Sequence, residues 1–182
     1  MKIRKIIRIA GTSFSGSTML DLMIANDPVG FSCGEINALF RPYRKHHFFP
    51  ECGCENPDCN IWGIVKTKGE KNLWPELMNL LPEKSFFVDS SKELTWIYDQ
   101  RKRDLSEDKE VKNLLIWKTP LEFALSCWKR GQLSNWYHGY VSYYERYFSI
   151  LDDWYSIKFS DLVSNPSQKL ESICKAVGIA YF

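Results

Sequence analysis

Three groups of residues have types and spacings suited to chemistry. Gly11-Thr12-Ser13-Phe14-Ser15-Gly16-Ser17-Thr18 fits the spacing G-x4-G-x-[ST] of a loop that wraps a phosphate. In such a loop the backbone N–H groups and the N-terminus of the following helix converge on one spot and favour an anion. Gly16 allows close backbone approach there, while Ser15, Ser17 and Thr18 add hydroxyl donors. The lysine that reaches the outer phosphates of a triphosphate is replaced by Ser17, and Asp89 is the one contender for a magnesium ligand. A triphosphate would lack part of its charge compensation. The second group is Lys118 with Ser126 eight residues on, a spacing that lets both face a ligand if Lys118 ends a strand and Ser126 lies two turns into a helix. The third is Cys52, Cys54 and Cys59 in "ECGCENPDCNIW", with His46 and His47 near enough in sequence to complete a tetrahedral zinc site. A local disulfide and free thiols are the competing readings of that cluster.

These groups need elements to hold them. Residues 3–9 read as a short, Ile-rich buried parallel strand, followed by the glycine loop and by a helix over Ser17 to Ala25. "GFSC" reads as a second strand, and 46–72 as a long irregular connection of the lid or substrate-loop kind. A strand at Phe86 to Val88, a turn at Asp89 to Ser91 and a helix from near Lys92 repeat the first unit. A strand at Leu114 to Ile116, a turn at Thr119-Pro120 and a helix closed by Gly131 repeat it again. An aromatic-rich helix over 133–153, a strand in "WYSIKFS", and a helix in "NPSQKLESICKAVG" with Pro166 near its start and Gly178 at its end complete the chain. Strand-turn-helix units in succession predict an α/β fold, a doubly wound, mostly parallel central sheet flanked by helices.

Bulk properties bound the rest. A chain of 182 residues suits a single domain spanning 1–182. Its 24 basic and 22 acidic residues give a net charge of +2, so no global field marks a nucleic-acid binder and any anion site is local. No apolar run reaches membrane-spanning length. The basic start, Met1 to Arg8, is unlike a secretory leader because Arg8 interrupts the apolar stretch, and a cytoplasmic location is expected.

Taken together, "GTSFSGSTMLDLM", "SCGEINALF", "FFVDSSK", "LLIWKTPLEFALSCWKRG" and "IKFSDLVSNPSQKLESICKAVGI" resemble, in order and spacing over nearly the whole chain, the sulfotransferases that use 3′-phosphoadenosine 5′-phosphosulfate (PAPS). The resemblance implies a P-loop-like fold in which the first loop, Gly11, Ser13, Phe14, Ser15, Gly16, Ser17 and Thr18, cradles the 5′-phosphosulfate. It implies that Lys118 and Ser126 hold the 3′-phosphate, and that "FSDLVSNP" is structural. Glu35 in "CGEIN" resembles the glutamate that serves as base in the tyrosylprotein branch. Lys92 matches a lysine that contacts the sulfonate or bridging oxygen there. His46, His47 and His138 are alternative bases.

The implied reaction moves a sulfuryl group to a hydroxyl or amine acceptor and leaves 3′-phosphoadenosine 5′-phosphate, with no metal expected. A sulfuryl group carries less charge than a phosphoryl group, which suits a loop without the lysine. The acceptor is expected to be a small molecule, carbohydrate or lipid, and Trp62, Trp74, Trp96 and the cluster Trp136-Tyr137-His138-Tyr140-Tyr143-Tyr144 either line its cleft or form core. Two departures set the rival expectation of a non-catalytic nucleotide-binding relative; a P-loop kinase or NTPase is a third reading that Ser17 disfavours. Many relatives carry Lys or Arg where this loop has Phe14, and family members commonly continue past the "AVGI" helix with a segment that closes over the cofactor.

Overall fold

A computed structural model of the chain describes residues 4–48, 52, 54, 56, 58–107 and 110–182. Its centre is a five-stranded, all-parallel sheet: β1 (Lys5–Ala10), β2 (Gly30–Ser32), β3 (Phe86–Asp89), β4 (Val111–Trp117) and β5 (Tyr155–Lys158), in the order β2-β3-β1-β4-β5. The strands pair in register without offset, with Ile7 opposite Val88 on one side and Lys112 on the other. A parallel sheet is stable only with both faces covered, and the alternation along β1 shows how this chain covers them. Ile6 and Ala10 point to one face, Ile7 and Ile9 to the other, and all four are buried.

Nine α-helices lie among the described residues, and all but α6, which packs on α7, supply the cover: α1 (Ser17–Ala25), α2 (Asn37–Phe40), α3 (Ile61–Lys68), α4 (Leu73–Leu80), α5 (Leu94–Glu107), α6 (Pro120–Trp128), α7 (Trp136–Ile150), α8 (Phe159–Ser164) and α9 (Pro166–Val177). On the Ile6 face, α2, α3, α4, α5 and α7 bury Leu39, Trp62, Leu77, Trp96 and Tyr147 around Phe87 and Leu115. On the Ile7 face, α1, α8 and α9 bury Leu20, Ile24, Leu162, Ile173 and Val177 around Val88, Leu114 and Ile116. The chain steps from β1 outward to β2 along one face, then returns through β3 to β4 along the other. Right-handed crossovers require that change of face when the direction reverses, and the strand ends beside β1 therefore open onto a crevice. None of the helices is long and apolar enough to cross a membrane.

The doubly wound parallel architecture read from the sequence is the one observed. The strand read in "WYSIKFS" ends at Lys158, with α8 beginning at the next residue, and the helices α2 and α4 have no counterpart in the sequence reading. The largest difference is in one segment. The connection 46–72 contains α3 and two short 3-10 turns, Lys45–Phe48 and Glu70–Asn72, in place of a wholly irregular loop. Ile61, Trp62 and Val65 lie on one side of α3 and are buried, which is what fixes it as a helix. Part of the cysteine segment, residues 51, 53, 55 and 57, lies outside the described residues.

Candidate functional site

Four of the segments singled out for chemistry emerge beyond the carboxyl end of a strand. The loop Gly11 to Gly16 follows β1, Glu35 follows β2, Lys92 follows β3 and Lys118 follows β4. In α/β sheets of this kind ligands bind at that edge.

The first loop makes its turn through two left-handed residues. Phe14 has φ 66° and Gly16 has φ 99°, and the Ser15 amide donates to the Thr12 carbonyl at 3.2 Å. A side chain at Gly16 would run into the ring of Phe159, so the loop lies directly against the start of α8. Gly16 also precedes α1 and gives that helix no side-chain cap, so the amides of Ser17, Thr18 and Met19 have no partner within the helix. Thr18 and Ser13 are exposed and Phe14 is half-buried, whereas Ser17 and Ser15 are buried. The Ser15 hydroxyl is turned beneath the loop towards Gly11, with no hydrogen-bond partner.

Lys118 reaches back into this loop. Its Nζ donates to the Phe14 carbonyl at 2.6 Å and to the Ser126 hydroxyl at 3.1 Å, and it stands 4.3 Å over the Phe159 ring. The geometry of Ser126 follows from a capping box at the start of α6. Thr119 accepts from the Glu122 amide and the Glu122 carboxylate accepts from the Thr119 amide, so the helix begins immediately after Lys118. Two turns later Ser126 meets the lysine. Burial, together with the positive charge of Arg130, lowers the pKa of Lys118. Arg130 is a residue that the sequence reading missed. Its guanidinium lies 4.4 Å over the Phe14 ring and donates to the Ser126 carbonyl at 3.2 Å. A positive charge thus lies over the ring at position 14, carried just beyond the end of α6. The only sequence signal for this was its spacing of one turn after Ser126.

Glu35 and Lys92 form an ion pair, and the other Glu35 oxygen accepts from the Tyr43 hydroxyl at 2.7 Å. Burial opposes ionisation of Glu35, but the hydrogen bonds from Lys92 and Tyr43 and the charges of Lys92 and Arg44 outweigh it and lower its pKa. Behind the pair, Ser90 and Ser91 tie the turn down. Ser90 donates to Asp21 on α1 at 2.6 Å and its amide to the Gly34 carbonyl at 2.9 Å, while the Ser91 hydroxyl accepts from the Asn37 amide at 3.0 Å. Burial and the nearby Asp89 push the Asp21 carboxyl up to about 6 against the pull of Ser90 and Ser32. Asp89, the residue considered for magnesium, is buried, with one oxygen accepting from the Ser91 amide and the other from the Trp96 indole, both at 2.9 Å.

Two tyrosines on α7 join the pieces. The Tyr143 hydroxyl accepts from the Gly11 amide and donates to the Lys92 carbonyl, both at 3.0 Å. One turn earlier Tyr140 donates to the Lys118 carbonyl at 2.8 Å. These side chains frame the loops, and Trp62, Trp74 and Trp96 are buried core. His47 is buried beside Tyr43, with its Nδ1 accepting the Tyr43 and Arg44 amides, and His138 is exposed on α7. The charge of Glu35 acts on His47, whose own pKa is lowered by burial and by the charges of His46 and Arg44.

No protein-family model and no curated protein sequence matches the chain. Solved structures do. The sulfotransferase domain of the Synechococcus PCC 7002 olefin synthase superposes with a TM-score of 0.69 at 19% identity, over 100% of this chain and 75% of that one. The sulfotransferase domain from the curacin biosynthetic pathway gives 0.67 at 18%, over 100% and 76%. A sulfotransferase from Alicyclobacillus acidocaldarius gives 0.57 at 16%, over 98% and 82%. The order of strands and these superpositions agree that the chain has the sulfotransferase fold.

Proposed function

We propose that this protein is a sulfotransferase that takes the sulfuryl group of PAPS to a hydroxyl or amine acceptor. The observation that carries the reading is the convergence of Lys118, Ser126 and Arg130 on the loop Gly11 to Thr18, beside the paired Glu35 and Lys92. The residues present fit a nucleotide with two anionic groups. The helix-start amides of Ser17 to Met19 offer one anion site, and the partly desolvated Lys118 offers a second. The nucleotide, when bound, supplies the sulfuryl group and a bisphosphate leaving group. Lys92, which also donates to the Ser90 carbonyl at 3.4 Å, has one donor left for developing charge at the bridging oxygen. Glu35, ionised at neutral pH, takes the acceptor proton once the acceptor approaches its carboxylate. Arg130 serves in place of a basic residue at position 14.

Calorimetry with 3′-phosphoadenosine 5′-phosphate tests the binding half of this reading. Micromolar binding that is lost in Lys118→Ala and weakened in Ser17→Ala is the expected result; no binding in the wild-type protein refutes it. A second reading, a nucleotide-binding relative that turns nothing over, draws on one observation: Glu35 and Lys92 are committed to each other. Transfer of label from radiolabelled PAPS to a panel of carbohydrate, phenolic, amine and lipid acceptors separates the two.

A further inference from the structure

The sulfur atoms of Cys52, Cys54 and Cys59 lie within 4.8 Å of one another, and all three thiols are free. We propose that they form a zinc site with three thiolate ligands and a fourth position open to solvent. Bonds of about 2.3 Å in a tetrahedron put thiolates about 3.8 Å apart, so the observed triangle closes on an ion with small side-chain rotations. A disulfide uses two of the three and strands the last, whereas an ion uses all of them. Thiolate ligands select zinc and other soft metals over magnesium or calcium.

The surroundings are built to hold this triangle. Asn56 closes a turn inside the cluster, its side-chain oxygen accepting from the Asp58 amide at 3.0 Å and its carbonyl from the Cys59 amide at 3.1 Å. Cys52 and Cys59 pack against the core on the Ile6 face, and Cys54 is exposed, which leaves the open position on the solvent side. The neighbouring histidines do not complete the site. His47 spends its Nδ1 lone pair on two backbone amides, which leaves the proton on Nε2, and the cluster found among the described residues contains no histidine. Zinc binding displaces the thiol protons and clamps the chain two residues before α3. The buried Trp62 of α3 packs 5.8 Å from Phe31 of β2, the strand that leads to Glu35. The site anchors the chain ahead of α3 and stands or falls independently of the proposed reaction.

The test is metal analysis of protein purified under reducing conditions without chelators or metal resins. About one zinc per chain is expected, falling at least tenfold in Cys54→Ser and unchanged in Cys174→Ala, which lies on α9 away from the cluster. If Cys54→Ser fails to fold, cobalt titration of the reduced, metal-free wild-type chain gives the answer: a saturable thiolate-to-cobalt charge-transfer band at about one equivalent supports the site. Absence of both zinc and that band overturns the proposal. So does full zinc in Cys54→Ser, or a disulfide between any two of the three cysteines in protein isolated with thiols blocked.

Discussion

The Lys118 ammonium donates to the carbonyl of Phe14 at 2.6 Å, so a cation from the end of β4 is built into the turn that follows β1. Phe14 pays for its left-handed backbone, an unusual conformation for an aromatic residue, and is held there from both sides. Lys118 fixes its carbonyl, and Arg130 covers its ring. The loop and the proposed second anion position are therefore one mechanical unit. Lys118→Ala is expected to weaken the bisphosphate about 10- to 100-fold, since it removes charge-assisted bonds worth about 1.5–3 kcal/mol. Arg130→Ala, at an exposed position, is expected to cost less than about fivefold. Calorimetry at two salt concentrations distinguishes them, because the exposed arginine is the more strongly screened.

Tyr143→Phe removes one hydroxyl and two bonds, to the Gly11 amide and the Lys92 carbonyl. The amide it leaves behind belongs to a buried glycine, so a loss of about 1–3 kcal/mol in urea unfolding is expected. Turnover is expected to fall with it, since the same hydroxyl joins the two loops. An unchanged midpoint together with unchanged turnover would show that the hydroxyl is dispensable.

Much of this scaffold was legible because the strands announce themselves. Ile6, Ile7 and Ile9, then Phe86 to Val88, then Leu114 to Ile116 are short apolar runs, each closed by a polar turn at the end where the site lies. The helix α1 was read with its observed boundaries, and Gly178 takes the left-handed helix-ending conformation expected of it. The helix α3 was hidden because Gly63 sits inside it and a Pro, Asn and Cys-rich stretch precedes it, so local composition spoke for a loop while tertiary burial of Trp62 decided for a helix. Arg130 was invisible as a candidate site residue, and the backbone bonds of Tyr140 and Tyr143, residues read as cleft lining or core, were invisible too, for a different reason. Their partners Phe14, Lys118, Gly11 and Lys92 are distant in sequence except for Lys118, and a hydroxyl bonded to a backbone atom leaves no pattern in the side chains. Phe159 belongs with them: it falls in a segment read as structural, and it is the surface against which Gly16 and Lys118 rest.

Asp21 gives stability a dependence on pH whose sign is fixed. Its folded value is about 6 against an ordinary 3.8, so between those values the folded protein keeps a proton that the unfolded chain has released. Its contribution is complete below the unfolded value and is lost as pH rises to about 6, by about 3 kcal/mol as an upper bound. Glu35, with a lowered value, acts in the opposite direction, and Asp89, also raised by burial, in the same direction as Asp21. The comparison that isolates Asp21 is with Asp21→Asn, whose amide oxygen still accepts from Ser90. The variant is expected to gain about 1–3 kcal/mol over wild type at about pH 8 and little at about pH 4. Equal differences at both pH values in urea unfolding would mean that Asp21 is not the titrating group.

Glu35 and Lys92 are predicted to act as a coupled pair. Glu35→Gln keeps the shape and removes the charge, so kcat is expected to fall about 10²- to 10⁴-fold while the bisphosphate still binds. Lys92→Met is expected to lower kcat about 10²- to 10³-fold. Because each group holds the other in place, the double variant should lose much less than the product of the two losses. Tyr43→Phe provides the finer test. Its hydroxyl helps to keep the Glu35 carboxyl below the ordinary range, so its removal should raise the pKa of the acid limb of the rate profile without abolishing turnover. An acid limb that stays where it is in Tyr43→Phe, with kcat of Glu35→Gln within about threefold of wild type, would remove Glu35 from the role of base and leave the carboxylate as the partner that orients Lys92.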